Sequence, residues 1–236
     1  MNMQNKILVV VANTQEYQKV GYRTGLWLSE LTHFWDVMEA ANFKMDIVSP
    51  VGGFVPIDPE SLLMPELIQM TGYKDAVNKR YEDREFMNLL QNTPSVANVN
   101  ADDYAAIYLT GGHGVMFDFT DNQDLARLIA QFYESNKPVS AVCHGSSGLV
   151  NVKLPNGEFL ISNKKMTGFS WREEELAKRD HAVPYSLEQA LKDKGANYKK
   201  GLIPFTEKVI EDGLLITGQN PKSPHAVAQA LVKRLS

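Results

Sequence analysis

The sequence predicts an α/β fold: a doubly wound, mostly parallel sheet with helices on both faces and a cap-like insertion. Two observations carry this expectation. Short apolar, β-branched runs alternate along the chain with longer helical stretches, the pattern of parallel β-α-β units. Two of the apolar runs stop abruptly at small-residue turns, Gly111-Gly112-His113-Gly114 and Cys143-His144-Gly145, at the end of the sheet where open α/β folds keep their sites.

Lys6–Ala12 reads as a buried first strand, because its apolar run is continuous rather than alternating. Gly25–Asn42 is a long helical pattern and Lys44–Val48 a second strand, closed by the breakers Pro50, Gly52 and Gly53. From there to about Asn100 the composition turns to Pro, Met and mixed charge. This segment, about 50–100, is expected to be an insertion over the sheet edge or the site, with one helix at Asp75–Gln91. Ala105–Leu109 is a third strand, Asn122–Asn136 an amphipathic helix, and Val139–Val142 a fourth strand introduced by Lys137-Pro138. A hairpin-like stretch (Lys153–Ile161), helices Arg172–Arg179 and Ser186–Lys194, strand Leu214–Thr217 and helix Pro224–Leu235 complete the pattern. One domain spanning 1–236 is the economical organisation.

The totals exclude several classes of function. A net charge of −4, with cations scattered among acids, lacks the concentrated basic face that phosphate backbones require. No apolar stretch is long enough to span a bilayer, and the run Ile7–Ala12 is too short for a secretory h-region. The single cysteine forbids an internal disulfide, which fits a reducing compartment and makes the cytoplasm the expected location. There is no H-E-x-x-H or C-x-x-C, and Phe117 occupies the position where a dinucleotide fingerprint needs glycine.

The chemistry concentrates around Cys143. Ala141-Val142-Cys143-His144-Gly145 has the small-x-nucleophile-x-Gly spacing of a nucleophile elbow, a strained strand-to-helix turn beside which only small residues fit. A helix beginning near Gly145 would turn its positive end to the sulfur and favour thiolate. Attack on a carbonyl creates an oxyanion that needs two donors; the backbone N–H of His144 and that of Gly112 are the candidates. A lone cysteine is often a buried structural residue, but here the turn, the adjacent histidine and the glycine loop favour catalysis.

Glu30 is a second candidate. At about 100° per residue, Leu26, Trp27, Leu28, Leu31, Phe34, Trp35, Val37, Met38 and Ala41 share one arc of the first helix. Ser29, Thr32, Asp36, Glu39 and Ala40 share the other. Glu30 falls inside the apolar arc, where a carboxyl must find a partner or take up a proton. The first turns of this helix lie at the same end of the sheet as Cys143, so Glu30 is expected within reach of the sulfur, with a raised pKa.

Ala-Val-Cys-His-Gly after a strand, the earlier Gly-Gly-His-Gly, Thr167-Gly168-Phe169-Ser170 followed by acids, and Thr217-Gly218-Gln219-Asn220-Pro221 resemble the ThiJ/PfpI superfamily. The similarity is greatest to its glutathione-independent glyoxalase III and stress-chaperone branch. The resemblance implies a flavodoxin-like fold of the class I glutamine amidotransferase type and a homodimer. It makes Cys143 the nucleophile, His144 its base, Glu174 the orienting acid and Glu30 the glutamate at the sulfur. Glu174 is assigned by position alone within the run Glu173-Glu174-Glu175. The reaction implied is cofactor-free and metal-free: conversion of a small 2-oxoaldehyde such as methylglyoxal to a 2-hydroxy acid, a lyase of the D-lactate dehydratase type. An amidase, peptidase or protein deglycase using the same cysteine, or a redox-responsive chaperone, is the alternative. Ser146 stands where relatives often carry proline. No His-x-Glu pair of the glutamine-hydrolysing relatives is present. His33, His113, His181 and His225 read as surface or loop residues, and Phe34 and Trp35 as core.

Overall fold

The computed structural model describes residues 5–67 and 73–236, so residues 68–72 of the expected insertion lie outside the described residues. Strands are β1 (Lys6–Val10), β2 (Lys44–Val48), β3 (Ala106–Leu109), β4 (Val139–Val142), β5 (Lys165–Met166), β6 (Asn197–Tyr198), β7 (Val209–Asp212) and β8 (Leu215–Gly218). Six of them form the main sheet in the order β2-β1-β3-β4-β8-β7, with β7 alone antiparallel; β5 and β6 pair separately. This is the flavodoxin-like arrangement the sequence predicts. Every residue of β3, β4 and β8 is buried, as both-face coverage requires and as their unbroken apolar character signals.

The helices are α1 (Leu28–Ala40), α2 (Pro59–Leu67), α3 (Tyr73–Glu82), α4 (Arg84–Asn88), α5 (Val115–Asp118), α6 (Gln123–Glu134), α7 (Trp171–Leu176), α8 (Leu187–Asp193) and α9 (Pro224–Leu235). α1 packs against α9, whereas α6 packs on β3 and β4. The α6 start is fixed by Asn122, whose side chain accepts the Leu125 N–H at 2.9 Å. Among the described residues no helix is long and apolar enough to cross a membrane.

Several element boundaries differ from the sequence reading for identifiable reasons. The single helix expected over Asp75–Gln91 is two, because Asp83 leaves helical geometry and caps α4, accepting the N–H groups of Glu85 and Phe86 at 2.9 and 3.2 Å. Helix α2, strand β7 and the small β5-β6 sheet are not visible as periodic patterns; strands of two residues carry no period. Thr32 and His33 are buried, because α1 is covered by α9 as well as by the sheet and its apolar arc is not its only covered face. His181 and His225 are exposed, as read.

The sheet order places a switch point between β1 and β3, the chain winding outward in opposite senses from these neighbours. Register levels their ends: Val10 pairs with Leu109, and Leu109 with Ala141. Phe34 of α1 stacks on Tyr108 of β3, ring centroids 3.6 Å apart and planes within 3°. The Tyr108 hydroxyl donates to the Glu30 backbone carbonyl at 2.8 Å. Core packing thus sets how α1 enters the site. We expect Phe34→Ala to cost about 3–5 kcal/mol of stability, the range for deleting a buried phenylalanine, read from the denaturant midpoint.

Candidate active site

β4 runs extended through Val142, and Cys143 then takes φ +55°, a left-handed conformation sterically costly for a side chain other than glycine. The turn closes only because small residues flank it: a Cβ on Gly145 would strike the Leu109 carbonyl. The helix expected to begin near Gly145 is instead a 3₁₀ helix over Cys143–Leu149. The run Gly145-Ser146-Ser147-Gly148 holds poor α-helix formers, which explains the tighter form. The Ser146 hydroxyl donates to the Thr167 carbonyl at 3.2 Å, which ties the turn to the chain before α7.

Cys143 is buried, and its sulfur lies 3.3 Å from His144 Nδ1. His144 Nε2 lies 2.8 Å from Glu174 Oε2, and His113 Nε2 lies 2.7 Å from Glu174 Oε1. Burial alone would raise the Glu174 pKa, but the neighbouring His144 and His113, with their hydrogen bonds, pull it well below the usual carboxylate range. Glu174 is therefore an acceptor only, and each histidine must present Nε2–H to it. Burial, then repulsion from His113, lowers the His144 pKa and keeps its ring neutral. A neutral His144 protonated at Nε2 carries its lone pair on Nδ1, facing the thiol. The arrangement can take the thiol proton.

Glu30 completes the floor from the other side. It is fully buried, its Oε2 accepts the Gly111 N–H at 2.8 Å, and it interacts directly with the Cys143 thiol. A Cβ at Gly111 would press on both Glu30 Oε2 and Cys143 Cβ, so glycine there is what lets carboxyl and sulfur meet. Burial pushes the Glu30 pKa up to about 8. Burial and the Glu30 carboxylate push the thiol up as well, opposite to the expected freely ionised sulfur. The two form one coupled system. When Glu30 holds the proton it stabilises thiolate; when Glu30 is ionised it opposes thiolate. Its Oε1 has no well-aligned partner, an arrangement costly for a buried carboxylate and relieved by a proton there. The His144 backbone N–H also points at the sulfur and favours its anion. Gly112 sits at φ +102°, packed against Gly25.

The three acids of the run have three fates. Glu173 is buried in the capping box with Ser170 and accepts from Gln219 Nε2 and Asn220 Nδ2, each at 2.9 Å. Glu174 reaches the two histidines, and Glu175 is exposed. His113, read from sequence as a loop residue, is buried beside the site, its ring 4.1 Å from that of His144. Its place directly after β3, in the same loop as Gly112, was the available signal. A cavity of about 430 Å³ opens above Cys143, His144 and His113, with walls that include Trp27 and Phe169. His113, His144 and Glu174 offer ligand atoms within 4.8 Å of one another and could hold a metal ion, although in the hydrogen-bonded state these atoms satisfy one another.

The family model described as DJ-1/PfpI family matches residues 22–234. The chain belongs to the DJ-1/PfpI family. Among DJ-1/PfpI relatives, it is 30% identical to a glutathione-independent glyoxalase of Saccharomyces cerevisiae, covering 94% of each chain. The X-ray structure of the 24 kDa rapid encystment protein of Francisella tularensis superposes with TM-score 0.89 at 37% identity, over 98% of this chain and 99% of that one. The crystal structure of glyoxalase III from Candida albicans gives 0.82 at 26% identity, over 98% and 97%.

Two consequences of the Glu30 environment are measurable. Because its folded pKa (about 8) lies above the ordinary 4.5, the folded protein holds a proton that the unfolded chain releases. The Glu30 contribution to stability is therefore full below about pH 4.5 and is lost as pH rises through about 8. We expect the stability of Glu30→Gln relative to the parent to rise between pH 6 and pH 9, measured by denaturant titration. The alkylation rate of Cys143 against pH should show two steps in the parent and one in the variant.

Proposed function

We propose that this protein is a glyoxalase III-type enzyme that converts 2-oxoaldehydes, methylglyoxal among them, to 2-hydroxy acids without glutathione. The observation that carries this reading is the unbroken chain from Cys143 Sγ through His144 Nδ1 and Nε2 to Glu174, at the floor of a cavity. It occurs in a chain that matches named glyoxalases along nearly its whole length.

In this reading His144 Nδ1 takes the thiol proton, and the thiolate adds to the aldehyde carbon C1. The His144 proton then passes to the new alkoxide, giving a hemithioacetal. The neutral base removes the proton on C1 and delivers it to the C2 oxygen, forming an enediol. Transfer of the C1 hydroxyl proton to C2 leaves a thioester, and water hydrolyses it to the hydroxy acid and free thiol. The backbone N–H groups of His144 and Gly112 are the proposed oxyanion donors. Glu174 holds His144 in the tautomer that accepts from sulfur, while Glu30 supplies or withdraws a proton on the sulfur's other side. The ionised, doubly bonded state of Glu174 supports the first role, and the raised pKa of Glu30 supports the second.

Purified protein incubated with methylglyoxal and no glutathione should form lactate, assayed enzymatically. Cys143→Ser should abolish the reaction while leaving the fold intact by circular dichroism. Glu174→Gln should lower kcat by about 10²–10⁴, the span of general-base contributions, whereas Glu175→Gln should change little. Lactate formation by Cys143→Ser, or equal activity of the two glutamine variants, overturns the assignment.

A further inference from the structure

The cavity is far larger and more apolar than methylglyoxal requires. Its volume of about 430 Å³ falls within the range of roughly 300–1,000 Å³ of pockets that enclose drug-sized ligands. A three-carbon oxoaldehyde fills the space of only about four waters at ~30 Å³ each. The polar groups that do chemistry gather at the floor, and the volume beyond them is bounded mainly by aromatic and aliphatic side chains.

That apolar wall is constructed. Phe205 is held at φ +57°, an outlier for a bulky residue, and its N–H donates to the buried Glu173 Oε1 at 2.8 Å. Strain of this kind persists where surrounding structure enforces it, commonly at ligand sites. Phe205 faces Phe169 at 6.0 Å between ring centroids, and Phe169 in turn lies 4.4 Å from the His144 ring. The wall is therefore continuous with the reacting groups. At the mouth, Leu63 of α2 and Leu176 of α7 are 61% and 56% exposed, large apolar residues left in water at the rim of a pocket. α2 is tied to the chain just beyond α7 by the Glu60–Arg179 ion pair, which occupies the Glu60 carboxylate.

Resting on the glyoxalase reading, we propose that the substrate class this site selects is 2-oxoaldehydes R–CO–CHO in which R is a bulky apolar group, aryl or branched alkyl. The aldehyde carbon sits at the Cys143 sulfur, and R lies between Phe169, Phe205 and Leu176. The reaction is R–CO–CHO + H₂O → R–CHOH–COOH: C1 is oxidised, C2 is reduced by the same amount, and water supplies the added oxygen. No external oxidant enters.

The test is kcat/KM of the whole protein for methylglyoxal, isopropylglyoxal and phenylglyoxal, without glutathione, with each hydroxy acid measured chromatographically. Burial of each added methylene is worth about fourfold, so we expect phenylglyoxal to exceed methylglyoxal by at least about tenfold. Intrinsic reactivity differs between the aldehydes but cancels between variants. Phe205→Ala and the exposed Leu176→Ala should each lower the phenyl-to-methyl ratio by about three- to tenfold. Methylglyoxal turnover with no preference for phenylglyoxal, or a ratio unchanged in both variants, overturns the proposal and leaves the glyoxalase reading standing. Absence of turnover with every oxoaldehyde overturns both.

Discussion

The close approach of Glu30 to the Cys143 sulfur constrains the rest of the site. A buried carboxyl and a thiol can meet only where no side chain intervenes, so Gly111 lies between them and Gly145 lets the turn close beneath Leu109. The sulfur reaches that spot because Cys143 adopts φ +55° at the end of β4. Glu30 reaches it because Tyr108 holds the Glu30 carbonyl and Phe34 stacks on Tyr108. Parallel register among β1, β3 and β4 brings these ends level. A displacement at any of these points separates the carboxyl from the sulfur.

Around that contact the protein holds two carboxyls in opposite states. Glu30 has only the Gly111 N–H and the Cys143 thiol beside it, so desolvation prevails and it retains a proton into the neutral range. Glu174 is nearly as buried but receives two imidazole N–H groups, so attraction prevails and it stays ionised. Pairs of titratable groups driven apart in this way separate acid from base within one site. The lone pair on His144 Nδ1 follows from the ionised Glu174. In the proposed mechanism Glu30 and His144, the latter held by Glu174, bracket the sulfur with a proton source on one side and a proton acceptor on the other.

How much of this was legible in the sequence depended on whether the information was local. The buried strands show as unbroken apolar runs and α6 and α9 as amphipathic periods, and these appear where predicted. The helix read from Gly25 begins only at Leu28, because Leu26 bridges to Ile57 and Trp27 is extended. Cys143 and Glu30 were also legible, the first from the small residues of its turn, the second from its place on an apolar arc. The distinction among Glu173, Glu174 and Glu175 was not. It depends on the capping box at Ser170 and on Gln219 and Asn220, more than forty positions away, which claim Glu173 and leave the next helical position to face the histidines. His113 was missed for the same reason, since nothing adjacent in sequence tells a loop histidine that its partner is Glu174. Asp83 broke an expected helix because a capping side chain overrides a weak periodic pattern.

The segment between β2 and β3 contributes to the pocket that lies over the sheet. The floor is built from the first turn of α1, the turns that follow β3 and β4, and α7. Glu60 and Leu63 of α2 form part of the cavity wall. Enclosure has an electrostatic effect as well as a steric one. Excluding water lowers the local dielectric, which strengthens the Glu174–imidazole attraction and increases the desolvation that keeps Glu30 protonated. An element that bounds the ligand space therefore also helps to set the charge states at its floor, so changes in α2 should alter substrate range and pH dependence together.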